Sequence, residues 1–241
     1  MVFRSERSES KHTKTLRLPL LLVFMVILSG CLFRHHTSEV TYINGSAVES
    51  LSSSVSLSYD SAARNISGSG LFMFRKPDHM RMVVLSPFGS VLQEVYVSGE
   101  LVTILDNGNG VAFSGSYKNL PASGDFSGWR YIHWVLDIDP PDPAQRTEVI
   151  ERVNRSGELE TATFEKGMLI SKTTATGGCV RYGNYTAVNG AAFPLEIVYE
   201  TAAREKYTIV LEDPEVNIPF AEGAFAPDLA KWRVYPLSVL K

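Results

Sequence analysis

From Ser53 onward the chain is divided into short apolar runs by clusters of Gly, Asn, Asp, Ser and Pro, and this spacing constrains the fold more than any other feature. Val55, Leu57 and Tyr59 alternate with serines, the period of a half-buried strand. Leu71 to Phe74 is apolar on both faces. Met80, Met82 and Val84 then share one face, with Arg81, Val83 and Leu85 on the other. Ser86-Pro87-Phe88-Gly89 is a turn by composition. Val91 to Val97 reads as a strand, Ser98-Gly99 as a tight hairpin, and Leu101 to Leu105 as the return. Asp106 to Gly110 makes a second turn before Val111-Ala112-Phe113. Links this short join antiparallel neighbours and leave no room for the crossover helices of parallel units.

Asp125 to Leu136 (DFSGWRYIHWVL) breaks the pattern. Asp125 or Ser127 can cap a helix carrying Trp129, Tyr131, Ile132, Trp134, Val135 and Leu136. A helix buried on one stripe needs about three apolar residues in seven. This segment is far more apolar, so a second side must also meet something greasy. The run Asp139-Pro140-Pro141-Asp142-Pro143 ends it. Upstream, Thr41 to Leu51 has Ser46 and Glu49 at capping-box spacing and is expected to form a short helix. Residues 147–155 fit a helix or a strand equally.

Strand texture resumes at Leu159 to Phe164, turns at Glu165-Lys166-Gly167 and returns from Met168 to Thr174. Val180 to Val188 follows, then Phe193, Leu195, Ile197 and Tyr199, then Tyr207, Ile209 and Leu211. The tail with Phe220, Phe225, Trp232 and Tyr235 reads as irregular chain covering one edge. Ten or eleven strands in one twisted antiparallel sheet curl. A curled sheet closed by one apolar helix encloses a space. The expected fold class is therefore mainly β with α, a curled antiparallel sheet.

Little in the sequence speaks for catalysis. It contains no G-x-S-x-G, H-E-x-x-H or C-x-x-C motif and no phosphate-binding glycine loop. Gly108 and Gly110 are explained by their turn. Asp137, Asp139 and Asp142 lack the glycine and distal glutamate of a calcium loop and read as a solvated helix end. His35 and His36 lie at no ligand spacing from His79 or His133. No enzyme activity, metal or catalytic residue is expected.

The N-terminal stretch carries a different message. Arg4, Arg7, Lys11, Lys14 and Arg17 precede an apolar run of 11 residues, Leu18 to Leu28. That order is the grammar of an export signal, and the run is shorter than the roughly 20 residues that span a bilayer. Leu28-Ser29-Gly30-Cys31 resembles the bacterial lipobox. The resemblance implies cleavage after residue 30, a diacylglycerol on the Cys31 sulfur and an acyl group on its amine; no other cofactor is expected. Leu32 follows where an aspartate would favour inner-membrane retention, so the expected location is the periplasmic leaflet of the outer membrane. Residues 31–40 (CLFRHHTSEV) then form a lipidated tether and residues 41–241 one domain. Of 23 basic and 26 acidic residues in the chain, 5 and 2 lie in residues 1–30, leaving 18 and 24. That weakly acidic balance argues against nucleic acid. With Cys31 acylated, Cys179 has no partner for a disulfide and is read as a small buried hydrophobe.

Three segments together resemble the LolA/LolB lipoprotein-localisation family, in particular its outer-membrane receptors of the LolB type. They are the lipobox with an uncharged neighbour, the stretch Met80 to Gly115 with its SPFG turn, and WRYIHWVLDIDP from Trp129 to Pro140. Phe193-Pro194 and Phe225 to Leu229 (FAPDL) also fit. Asp137 stands where that family often has glycine, and the basic segment before the lipobox is longer than usual. The resemblance implies an incompletely closed β-barrel with a helical lid over an apolar cavity. It implies a monomer that accepts lipoprotein acyl chains from a LolA-type periplasmic carrier and inserts them into the outer membrane. Pro87, Phe88 and Gly89 would form the insertion loop, with Phe88 either projecting or folded back. The inward candidates for the acyl cavity are Phe72, Phe74, Met80, Met82, Val84, Val95, Val97, Trp129, Ile132, Leu136, Ile170, Leu195, Ile197, Ile209 and Leu211. The alternative is an anchored interaction or assembly lipoprotein whose barrel is packed solid.

Overall fold

The computed structural model describes residues 40–43, 46–121 and 126–240. The expected export segment, Cys31, nearly all of the expected tether and Asp125 lie outside the described residues. Among these there are thirteen strands: β1 (Ser50–Asp60), β2 (Asn65–Arg75), β3 (His79–Leu85), β4 (Val91–Ser98), β5 (Leu101–Asp106), β6 (Val111–Ser116), β7 (Glu148–Val153), β8 (Leu159–Glu165), β9 (Met168–Thr174), β10 (Cys179–Val188), β11 (Ala191–Glu200), β12 (Lys206–Val216) and β13 (Arg233–Pro236). They form one sheet in the order β13-β6-β5-β4-β3-β2-β1-β12-β11-β10-β9-β8-β7. Every neighbouring pair is antiparallel except β13, which lies parallel to β6. The end strands β7 and β13 do not pair, so hydrogen bonds leave the curled sheet open.

The count exceeds the expected ten or eleven partly because the ambiguous segment 147–155 is strand β7, and because the tail contributes β13. The described residues between Thr41 and Leu51 form no helix. Ser50 pairs with Arg75 and Leu51 with Phe74, and the Glu49 amide donates to Asn217 Oδ1 at 2.8 Å instead of entering a capping box. Sheet pairing thus overrides a local helix signal. The tail covers an outer face as well as an edge, with Leu229 and Trp232 on Tyr96, Leu105 and Ala112.

The concave face gathers the main core. Val55, Phe72, Met80, Met82, Val95, Val97, Val102 and Ile104 are all but sealed from solvent. Gly70 is required by close strand approach. A Cβ there would sit 2.0 Å from the Val83 carbonyl oxygen, which is backbone and cannot step aside. Gly70→Ala is expected to destabilise the protein by about 2–4 kcal/mol, the range of the severe single substitutions. Chemical denaturation checks this.

The apolar segment forms a 3-10 turn (Ser127–Tyr131) followed by the five-residue helix α1 (Ile132–Leu136). The helical lid expected over the cavity is not seen. Ile132, Trp134, Val135 and Leu136 are buried in the same core as the sheet interior, so the segment is a wedge packed on more than one side. This accounts for its excess of apolar residues. Ser127 does not cap the turn with its side chain.

Polar groups from the sheet hold the end of α1. Lys172 of β9 is fully buried, and its Nζ donates to the Trp134 carbonyl and, at 2.9 Å, to that of Asp137. Tyr182 Oη donates to the Val135 carbonyl at 2.8 Å. Carbonyls at a helix C-terminus lack intrahelical partners and attract cations, which explains a lysine here. Trp134 Nε1 donates to Glu160 Oε2 at 2.6 Å. Arg152 Nε donates to Glu160 Oε1 at 2.6 Å and its fork to both oxygens of Asp139. Glu160 is thereby paired although almost fully buried.

Candidate functional site

An apolar cavity of about 610 Å³ opens beside this wedge. Its walls come from the end of β1, the start of β2, the end of β3, the start of β4, parts of β11 and β12, and residues 126–135. Its volume falls in the range of small-molecule sites. At its mouth stand Ile66 and Leu92, 47% and 48% exposed.

Local sequence explains why space is left. Leu57 and Tyr59 of β1 face Gly68 and Ile66 of β2, so glycine occupies an inward position where another large side chain would close the gap. A Cβ on Gly68 would meet only Val84 Cγ1, at an ordinary 3.9 Å. Across β1, β12 and β11 the wall continues as a ladder of tyrosines. Ring centroids lie 4.8 Å apart for Tyr59 and Tyr207, and 5.9 Å for Tyr207 and Tyr199, which are stacked. Burial pushes the Tyr207 phenol up to about 12 and raises Tyr199 as well, so both are neutral at physiological pH. Ser127 Oγ and Tyr207 Oη share a hydrogen bond of 2.7 Å, and Tyr59 Oη donates to Glu205 Oε1 at 3.0 Å. The hydroxyls of Tyr207 and Tyr59 are thus engaged at the edge, and the rings present hydrocarbon to the cavity. Gly128 lets the 3-10 turn lie against Tyr207, since a Cβ there would reach that ring at 2.7 Å.

The turn between β3 and β4 borders the same cavity through Pro87. Ser86 organises it: its Oγ accepts from the Phe88 and Ser90 amides, and its carbonyl accepts from the Gly89 amide at 2.9 Å. Gly89 has φ +79°, a conformation glycine adopts without strain. Phe88 at the tip is 95% exposed and points away from the barrel. An aromatic ring this exposed on a tightly tied turn needs an apolar surface outside the molecule to be buried at all.

Of the fifteen inward candidates, Val84, Trp129, Ile132, Ile197 and Ile209 line the cavity. Phe72, Phe74, Leu136 and Leu211 instead surround a void of only about 50 Å³. Met80 and Val97 border one of about 10 Å³. Met82 and Val95 are solid core, and Leu195 packs against it from a half-buried position. Ile170 lies outside that core. A bulge falls between Thr163 and Phe164, so that Phe164 pairs with Leu169 and Thr163 with Ser171. Ile170 is skipped, and Leu169 turns inward in its place. One end of the barrel is therefore filled and the other hollow. Gly68, Tyr59, Tyr199 and Tyr207 complete the hollow end without having been singled out. The available signal was Ser67-Gly68-Ser69-Gly70, since glycines inside a strand mark close approach or missing side-chain volume.

Among the described residues there is no cluster able to hold a metal, and no helix long and apolar enough to cross a membrane. An open, curled antiparallel sheet wrapped around an apolar wedge and a one-ended cavity is consistent with a LolA-like fold. Comparison with solved structures supports that class. The chain is similar to a LolA-superfamily protein from Nitrosomonas europaea (14% identity, TM-score 0.52, covering 75% of this chain and 91% of that one). It is similar to a domain from Vibrio parahaemolyticus described as an outer-membrane lipoprotein-sorting protein (9%, 0.56, 73% and 89%). A DUF1329 family protein from Desulfovibrio piger shares the architecture too (12%, 0.57, 74% and 90%). No protein-family model and no curated protein matches the sequence. At these identities the likeness is one of fold.

Proposed function

We propose that the protein is a lipid-anchored receptor of the outer membrane. It accepts lipoprotein acyl chains from a LolA-type periplasmic carrier and releases them into the bilayer, as a monomer and without enzymatic chemistry. The observation that carries this reading is the apolar cavity of about 610 Å³, next to the turn that exposes Phe88. A long acyl chain left in water costs on the order of 10 kcal/mol at about 0.8 per methylene. Transfer from one apolar site to another avoids that cost, and a small affinity difference then sets the direction. The lipobox resemblance at Cys31 would keep the cavity within reach of the membrane. A solid interaction module would have no use for the void, which favours the receptor over the assembly role.

Depleting the protein should leave lipoproteins accumulating on their soluble carrier; unchanged sorting would refute the transfer role. Phe88→Glu is expected to leave folding and acyl binding intact and to slow delivery into vesicles at least about tenfold, because a carboxylate at the tip resists entry into hydrocarbon. Equal delivery by the variant would remove the turn from the mechanism.

A further inference from the structure

We infer that the free edge of β7 is a docking site for an extended strand of another protein, one that carries a lysine or arginine between apolar residues. The inference does not depend on the acyl-receptor reading. The two ends of the sheet are built differently. β13 has four residues, ends at Pro236 and runs into a 3-10 turn whose Leu237 is buried. A short strand closed by a proline is a protected edge. β7 has six residues and no proline, and all six pair with β8 in unbroken register. Among the described residues no strand lies beyond it. Its alternate amides and carbonyls therefore form an open row of donors and acceptors.

Both faces of β7 lack the neighbour that a further strand would supply. On the inner face Ile150 pairs with Ala162, which is fully buried, yet Ile150 itself is 36% exposed. An inward charge commonly guards such an edge. Here that charge is Arg152, and Glu160 and Asp139 already neutralise its guanidinium. On the outer face Val149 and Val153 are each 66% exposed, and Leu159 of β8, paired with Val153, extends the apolar patch. Glu151 stands between the two valines, exposed and, among the described residues, without an ion-pair partner.

These positions specify the occupant. An antiparallel strand continues the pairing of β7 with β8 and is more stable than a parallel one. It needs a cation across from Glu151, apolar residues across from Val149 and Val153, and another across from Ile150. Opposite charges facing each other across a strand pair attract, and like charges repel. The same rule sets aside a second copy of this chain, because two β7 edges can lay Val149 on Val153 only with Glu151 against Glu151. Main-chain pairing supplies the affinity of such a complex, and the side chains choose the partner.

The test uses the full-length protein in detergent and three fluorescently labelled, amidated peptides: VTKIVT, its glutamate counterpart VTEIVT and the proline-broken VTKPVT. Fluorescence polarisation measures binding, and amide hydrogen exchange read by mass spectrometry locates it. VTKIVT is expected to slow exchange in residues 148–153 and to bind at least about threefold more tightly than VTEIVT. VTKPVT, which lacks a central donor, is expected not to bind. Glu151→Lys changes an exposed side chain, keeps the fold and is expected to reverse the preference between the first two peptides. Absence of binding by VTKIVT, equal binding by VTKPVT, protection elsewhere than β7, or an unchanged preference in Glu151→Lys overturns the inference. So does a β7 already protected without peptide, whether by residues 31–39 of this chain or by a second copy.

Discussion

Gly68→Trp is expected to weaken binding of a 16-carbon fatty acid at least about tenfold, to change binding of a 10-carbon acid less than about threefold, and to leave the protein as stable or more so. The position faces the cavity from β2, opposite Leu57, and a Cβ there meets only Val84 Cγ1, at 3.9 Å. The ten non-hydrogen atoms of a tryptophan side chain fill about 250 Å³ at ~25 Å³ each, which leaves room for about 14 carbons. Two methylenes of a longer chain are then displaced, at about fourfold each. Shorter chains still fit. Glycine inside a strand costs about 0.5–1 kcal/mol, so its removal does not weaken β2. A chain-length series by displacement, with a thermal melt of the same variant, separates the outcomes. If the folded variant binds the 16-carbon acid as before, the chain lies elsewhere.

Lys172→Met is expected to destabilise the protein by about 1–3 kcal/mol near pH 7, by leaving the Trp134 and Asp137 carbonyls without their donor. The gap from the wild type should widen as pH rises. Burial pulls the Lys172 amine down from 10.5 to about 8. Below pH 8 the amine is charged in both folded and unfolded chains, and the full desolvation penalty is present. Between 8 and 10.5 the unfolded chain binds more protons, so wild-type stability rises with pH through this group. The increment approaches about 3 kcal/mol at ~1.36 per pH unit of separation. Urea denaturation of both proteins at pH 7.5, 9 and 10 reads it. A gap that narrows with pH would show the charge to be stabilised by its surroundings.

Much of the architecture is legible in the sequence because hairpins are local. The alternation of Met80 and Met82 and the glycines at residues 99, 108 and 110 place β3 to β6 without tertiary information. The hollow is less legible. Periodicity tells which side chains point inward, yet Met82 and Ile209 are equivalent by that criterion, and only Ile209 lines the cavity. What decides between them is missing volume across the sheet, at Gly68. Ile170 shows a second limit, because a bulge shifts the inward face by one residue and leaves no mark in composition. Lys172 shows a third. A lone lysine among strand residues reads as solvent-facing until the helix end it serves is known.

The pairing of β1 with β12 joins the first strand of the sheet to the last but one. The antiparallel neighbours on either side are otherwise consecutive in the chain, so β1–β6 and β7–β12 are two ribbons that can each assemble locally, with one long-range ladder between them. The cavity straddles that ladder. Its walls therefore do not exist in either ribbon alone, and a chain emerging from its amino end must expose the future lining of β1 and β2 until β11 and β12 arrive to cover it. Holding that early ribbon apart from lipid and from other chains until the second ribbon arrives is a requirement the topology itself imposes.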